Sequence, residues 1–262
     1  MVATAILEAQ ALGRTFGGIR ALGDYSLRVA AGELIGLIGP NGAGKTTAFN
    51  LLTGVLRPSE GRILVDGAEV QKLRPHIFAC LGIARTFQNV RLFADLSVVE
   101  NVMAGLHMRH GAGWLGTLFG RHFNASEREI RDRALDILND VGLAAIAGKR
   151  AGDLSYGDQR RVEIARALAT EPRLILLDEP AAGLNPEETR LLTALIERIH
   201  QELQLSVLLV EHDMRLVMSL CRRIQVLNRG ACIADGTPDE IQANPAVIEA
   251  YLGRRRKAAA DA

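Results

Sequence analysis

Three short stretches of this 262-residue chain are apolar without interruption: Leu34–Ile38, Leu174–Leu177 and Val207–Val210. A strand with one face in water alternates polar and apolar residues, whereas an unbroken run reads as a strand covered on both faces of a parallel sheet. The pattern therefore predicts an α/β fold. Each run breaks off abruptly, into Gly39–Thr47, Asp178-Glu179 and Glu211-His212. Open α/β sheets bind ligands beyond the carboxyl ends of their strands, so these groups are expected along one rim.

The first third otherwise reads as short strands. Leu27–Val29, Arg62–Val65 and Glu69–Val70 are strand candidates, with Asp66-Gly67 as a hairpin turn. The middle, Phe87 to Ala169, reads as helical. Ser97 with Glu100 and Ser126 with Glu129 have capping-box spacing. After Ser126, Ile130, Ala134, Ile137, Leu138 and Val141 recur at helical intervals, and Gly142 ends the run. His107–Asn124, rich in glycine and holding the only Trp, reads as a loop or a short extra element. Asn185-Pro186-Glu187-Glu188 opens a further helix, and Thr237-Pro238-Asp239-Glu240 another.

Composition narrows the function classes. Lys and Arg number 31 against 30 Asp and Glu, a net charge of +1 that gives no support for general nucleic-acid binding. Aromatic residues make up 4%, too few for a base-stacking platform. Three scattered cysteines suggest neither a disulfide framework nor a zinc site. The start, MVATAILEAQ, lacks the pattern of a secretory leader, and no apolar run approaches the ~18 residues of a membrane span. A cytosolic chain is expected. The basic run Arg254–Lys257 reads as a disordered, solvated end with a weak attraction to anionic lipid.

Gly39-Pro40-Asn41-Gly42-Ala43-Gly44-Lys45-Thr46 fits the phosphate-loop pattern GxxxxGK[ST], after an apolar strand and before a helical stretch. Glycines let backbone N–H groups turn onto phosphate oxygens, and the following helix aims its positive dipole end at them. Lys45 would reach the β and γ phosphates, and the Thr46 hydroxyl would ligate Mg²⁺. Asp178 would complete the magnesium shell. Glu179 beside it suits a general base on the attacking water. His212 on the same rim reads as a γ-phosphate sensor, with a purely structural histidine as the alternative. Gln88 could reach the same place, the alternative being a surface amide.

Leu154-Ser155-Tyr156-Gly157-Asp158-Gln159 precedes a helix expected over Arg160–Ala169. Ser155 and the Gly157 N–H could cradle a second phosphate there. This segment resembles the signature motif, written LSGGQ, of ATP-binding cassette (ABC) ATPases, and the remaining motifs follow in the family's order. Phe16 matches the adenine-stacking aromatic, with an ordinary core Phe as its alternative. Gly39–Thr47, including Thr47, matches Walker A. Gln88 matches the Q-loop, where the amide also touches the metal. Leu154–Gln159 matches the signature, with Ser155, Gly157 and Gln159 toward nucleotide. Leu174–Glu179 matches Walker B with the catalytic Glu, Ala182–Asn185 the D-loop, and His212 the H-loop. Tyr156 departs from the consensus glycine, Asp158 reads as an extra residue before Gln159, and Asn185 stands where Asp is usual.

The resemblance implies a P-loop NTPase (RecA-like) core over about 1–87 and 160–236, with an N-terminal antiparallel β region. A helical subdomain is inserted over about 88–159, and a C-terminal helical tail covers about 237–262. It also implies ATP and Mg²⁺ as cofactors and hydrolysis in a head-to-tail dimer, each ATP lying between one Walker A and the opposite signature. Partners would be a second cassette, two transmembrane permease subunits and a periplasmic or extracellular binding protein, with the chain peripheral on the cytoplasmic face of the inner membrane.

Arg85–Gln88, Val90–Phe93, Ala181–Pro186, Glu211–Met214 and Asn244-Pro245 with Tyr251–Gly253 together resemble the ATPase subunit of branched-chain amino acid importers. Importers of urea or short-chain amides and lipopolysaccharide exporters are similar enough to stand as alternatives. A soluble ABC ATPase acting on ribosomes or DNA is the alternative of a different class, but the second cassette or the long insertions of such proteins are missing.

Overall fold

The structure is a computed structural model that describes residues 5–110 and 120–258. Two 12-residue strands open the chain, β1 (Ala5–Phe16) and β2 (Ile19–Ala30), followed by β3 (Leu34–Ile38) and α1 (Lys45–Leu52). The N-terminal strands are longer than the short ones expected. Next come β4 (Glu60–Val65), β5 (Ala68–Glu69), α2 (Pro75–Cys80) and β6 (Ile83–Arg85). Three longer helices follow: α3 (Val98–His110), α4 (Gly120–Asp140) and α5 (Tyr156–Leu168). The last part holds β7 (Leu174–Asp178), α6 (Pro186–Glu202), β8 (Ser206–Val210), α7 (Met214–Leu220), β9 (Arg223–Asn228), β10 (Ala231–Gly236), α8 (Pro238–Ala243) and α9 (Pro245–Ala258).

One sheet is antiparallel, in the order β2-β1-β4-β5. The other runs β10-β9-β3-β8-β7-β6, parallel from β9 to β6, with β10 antiparallel at its edge. Its three central strands are the three apolar runs, and their two faces feed different cores. Ile35, Leu37, Leu174, Leu176, Leu208 and Val210 pack toward α1 and the antiparallel sheet. Leu34, Ile38, Ile175, Leu177, Val207 and Leu209 pack toward the helices. Both faces are thus apolar because each meets its own layer. Gly36 in mid-strand has a packing reason: a Cβ there would lie 2.8 Å from Val217 on α7 and 3.1 Å from the sulfur of Cys221, which caps that helix.

Several local expectations shift. Ser97 and Glu100 close their capping box in front of α3, with N–H bonds of 2.7 and 3.3 Å. Ser126 opens no helix, since α4 already starts at Gly120; nothing in Arg121–Ala125 is proline or β-branched, so the helical run extends backward. His107–His110 and Gly120–Asn124 are likewise helical rather than loop, while Trp114 lies outside the described residues. The expected boundary at 159/160 falls inside α5, because Ser155 caps that helix and Tyr156 begins it. The backbone of Arg254–Lys257 is helical within α9 rather than a disordered end.

Candidate nucleotide site

The carboxyl ends of β3, β7 and β8 lie side by side, as their registers require: Leu37 pairs with Val210 and Asp178 with Val210. The rim therefore gathers the three groups that the sequence keeps far apart. Gly39 leaves β3 with φ +154, and a Cβ there would come within 2.2 Å of the Leu227 carbonyl oxygen. Only glycine fits this approach to β9. The loop runs through Pro40, Asn41, Gly42 and Ala43 to Gly44, which caps α1. Helix α1 thus begins at Lys45, followed by Thr46 and Thr47 in its first turn, with its N-terminus facing the loop's concavity.

Lys45 is 6% exposed, and its ammonium donates to the carbonyls of Gly39 at 2.7 Å and Pro40 at 3.3 Å. The loop is therefore closed around the lysine. Asp178 ends β7 at 5% exposure. Its N–H donates to the hydroxyl of buried Thr86 at 3.3 Å. Burial raises the Asp178 carboxyl to about 6, and the neighbouring Glu179 adds to this against the opposing pull of Arg85. Burial disfavours the bare carboxylate even with Arg85, Arg160 and Lys45 nearby, and a bound cation would offset that cost. Thr46 and Asp178 are hard oxygen donors, the type Mg²⁺ takes alongside phosphates. The donor set therefore fits that ion.

Glu179 sits in the left-handed region at φ +44, with its N–H donating to Val210 O at 2.8 Å. Non-glycine residues seldom hold such a backbone, and here the N–H bond to the neighbouring strand fixes it. Its carboxylate accepts a hydrogen bond from the Gln88 amide at 3.0 Å. The structure thus joins Gln88 to Glu179. His212 is placed differently: its Nδ1 is 3.8 Å from Glu211, and its side chain is 57% exposed on the rim. Phe16, at the end of β1, is 42% exposed with Arg14 stacked on one face at 4.7 Å. An ordinary core Phe is excluded, and the ring is available as a platform.

Ser155 caps α5 and its hydroxyl accepts the Asp158 N–H at 3.1 Å. The Gln159 N–H bonds the Ser155 carbonyl at 2.9 Å, so the helix is regular from its first residue. Counted from Ser155, the signature position after Gly157 is Asp158, a replacement rather than an extra residue. Gln159 turns its amide back onto the Leu154 carbonyl at 3.1 Å, and Asp158 pairs with Arg161. Gly157 lies against Glu188 of α6, where a built Cβ would meet the carboxyl carbon at 2.7 Å. Asn185 caps α6 in a complete capping box with Glu188, which an amide does as well as a carboxylate.

Four supporting residues have no role assigned from the sequence. Glu211, fully buried just past β8, accepts the Ala181 N–H at 2.8 Å. Its signal in the sequence is a charge directly after an all-apolar run. Arg85 lies between the rings of Phe49 and Phe87 at 4.7 and 4.6 Å, and donates to Thr53 and Asn50 at 2.8 and 3.1 Å. Arg160 and Glu163 form a buried pair at 2.9 Å, visible in sequence only as opposite charges three apart on one helix face.

A family model for the ABC transporter matches residues 22–182. The chain belongs to the ABC transporter family. A second model, for the branched-chain amino acid ATP-binding cassette transporter, matches residues 231–257 of the cassette. The cassette is 50% identical over 249 residues to the high-affinity branched-chain amino acid transport ATP-binding protein BraF of Pseudomonas aeruginosa, covering 95% of this chain and 98% of the relative. Identity to LivG of Escherichia coli K12, another branched-chain amino acid transport ATP-binding protein, is 45% with the same coverage. Identity to the E. coli K12 lipopolysaccharide export ATP-binding protein LptB is 37% over the same length. Among solved structures, the ADP conformation of an ABC transporter cassette superposes with a TM-score of 0.83 at 31% identity, covering 95% of this chain and 99% of that one. A dimeric post-hydrolysis cassette bound to ADP and phosphate gives 0.75 at 27% identity, covering 88% and 98%. The α/β fold read from the three apolar runs is therefore that of ABC ATPase cassettes, the type that the motif resemblance implied.

Proposed function

We propose that this cassette hydrolyses ATP to drive import of branched-chain, hydrophobic amino acids through separate membrane subunits. The observation that carries the substrate class is the 50% identity to BraF along 95% of the chain, reinforced by the C-terminal family match at 231–257. The geometry supports the chemistry. Gly39–Thr47 would wrap the phosphates, Phe16 would stack on the base, and Lys45 would exchange its loop carbonyls for phosphate oxygens. Thr46, Asp178 and the Gln88 amide would hold Mg²⁺, which neutralises charge developing on the phosphates when bound. Glu179 would take the proton of the attacking water, oriented by Gln88, with His212 reaching the γ-phosphate from its exposed position.

Ser155 and Gly157, at the start of α5, would meet the nucleotide of a second cassette. Nucleotide bridging two subunits favours their closed arrangement through its differential affinity. Among the described residues no helix is long and apolar enough to cross a membrane. The membrane subunits would dock on an apolar groove of about 540 Å³ beside the Q-loop, lined by Val55, Phe78, Phe87, Phe93 and Met108. An external binding protein would deliver the substrate, and the cassette would work at the cytoplasmic membrane face.

Labelled leucine uptake in cells lacking the chain tests this reading. Wild type should restore uptake and Glu179→Gln should not. Normal leucine uptake without the chain would overturn the substrate class, and an envelope defect instead would favour the export role carried by the name of LptB.

A further inference from the structure

The side chain of Arg160 is wholly buried at the start of α5, a position that needs several hydrogen bonds to offset the lost hydration of its charge. It obtains them from the Q-loop. Nη1 donates to the Phe87 carbonyl at 2.6 Å and to Glu163 at 2.9 Å. Nη2 donates to the Gln88 carbonyl at 2.7 Å and to the Tyr156 hydroxyl at 3.1 Å. Glu163, 2% exposed, completes the clamp by accepting the N–H groups of Phe87 at 3.3 Å and Arg91 at 3.4 Å. Main-chain groups on both sides of Gln88 are thus fixed to one buried ion pair. The Gln88 side chain then reaches Glu179 at 3.0 Å.

We propose that the Arg160–Glu163 pair is a positioning element that sets Gln88 against Glu179 and makes it follow the signature end of α5. The pair lies one helical turn past Ser155, and Tyr156, inside the signature, bonds Arg160 directly. A displacement of the Ser155–Gly157 turn therefore moves the guanidinium, the guanidinium moves the two carbonyls, and the amide changes its reach to the carboxylate. Because the signature would contact the nucleotide of one site and Glu179 would serve the other, the clamp gives a route from one nucleotide to the hydrolysis of the second. A planar guanidinium fork suits this coupling because it holds two successive carbonyls at once, which an ammonium does not. The inference rests on the roles proposed above for Glu179 and the signature.

A double-mutant comparison with the full-length chain tests it. ATP turnover, KM and the affinity for a fluorescent ATP analogue are measured for wild type, Gln88→Ala, Arg160→Lys and the double variant. Arg160→Lys should lower kcat about tenfold, the scale of a small misplacement at a reacting centre, while KM and analogue affinity hold. The double variant should be no slower than Gln88→Ala, because Arg160 acts through Gln88. Losses that multiply, to about a hundredfold in the double variant, would overturn the proposal. If Arg160→Lys lowers the melting temperature enough to compromise the fold, Tyr156→Phe replaces it, since that change removes one hydroxyl and keeps the ring. Its loss of kcat should vanish in the Gln88→Ala background, and persistence there would overturn the proposal. A wild-type chain without ATP turnover would instead overturn the ATPase reading on which the inference rests.

Discussion

The Glu211 carboxylate, fully buried beyond β8, accepts a 2.8 Å hydrogen bond from the N–H of Ala181, two residues past Glu179. Its second oxygen accepts the His212 N–H at 3.1 Å. One side chain therefore ties the turn that carries Glu179 to the residue at the end of the neighbouring strand. Glu211→Ala leaves buried donors unpaired and is expected to cost about 1–3 kcal/mol of stability. Glu211→Gln keeps an acceptor oxygen and should cost less. Urea unfolding of the three proteins measures both, and equal stability of wild type and the alanine variant would refute the link.

Lys45→Ala removes the ammonium that the loop encloses at its carbonyls. Affinity for ATP should fall by tenfold or more, the effect of losing a charge-assisted contact of about 1.5–3 kcal/mol. Titration with a fluorescent ATP analogue reads this directly. Unchanged affinity would overturn the phosphate assignment.

Glu179→Gln retains the backbone at φ +44 and the reach of Gln88, but removes the base. Hydrolysis should fall by about 10²–10⁴-fold, the contribution typical of a positioned proton acceptor. Binding should persist, so ATP should accumulate a dimer visible by size-exclusion chromatography. Turnover at the wild-type rate would show that another group accepts the proton.

Ser155→Arg places a long cation at the cap of α5. The isolated chain should bind nucleotide as wild type does, while ATP-dependent dimerisation of a Glu179→Gln background is lost. Weakened binding by the monomer would mean that the signature serves the nucleotide held by its own Walker A.

Gly36→Ala tests the packing of α7 on β3. The added methyl meets Val217 at 2.8 Å and Cys221 at 3.1 Å, and overpacking of this kind costs about 1–3 kcal/mol. Thermal unfolding should show the loss with nucleotide affinity intact. A variant as stable as wild type would show that α7 relaxes freely.

The sequence by itself determined the sheet and the rim. An apolar run without alternation can only be satisfied between two layers, and Gly39–Thr46, Asp178-Glu179 and Glu211-His212 each follow one such run, so their placement at one edge is a matter of strand direction. The caps at Ser97, Asn185 and Thr237 were equally legible, because each acts on N–H groups within a few residues of itself, whereas Ser126 has the same spacing inside a helix that starts earlier. The start of α5 was not, since whether Ser155 or Arg160 begins the helix depends on a cap whose alternatives lie within one turn. The tertiary structure alone decided that Gln88 meets Glu179, 91 residues away in sequence. It also decided that Arg160 spends its guanidinium on the Phe87 and Gln88 carbonyls and that Glu211 serves Ala181. The Arg160 and Glu211 contacts are made by side chains of ordinary surface-type residues buried against distant main-chain groups. Nothing local distinguishes such a residue from a solvated one, because the hydrogen bonds that offset its burial exist only once the layers have come together.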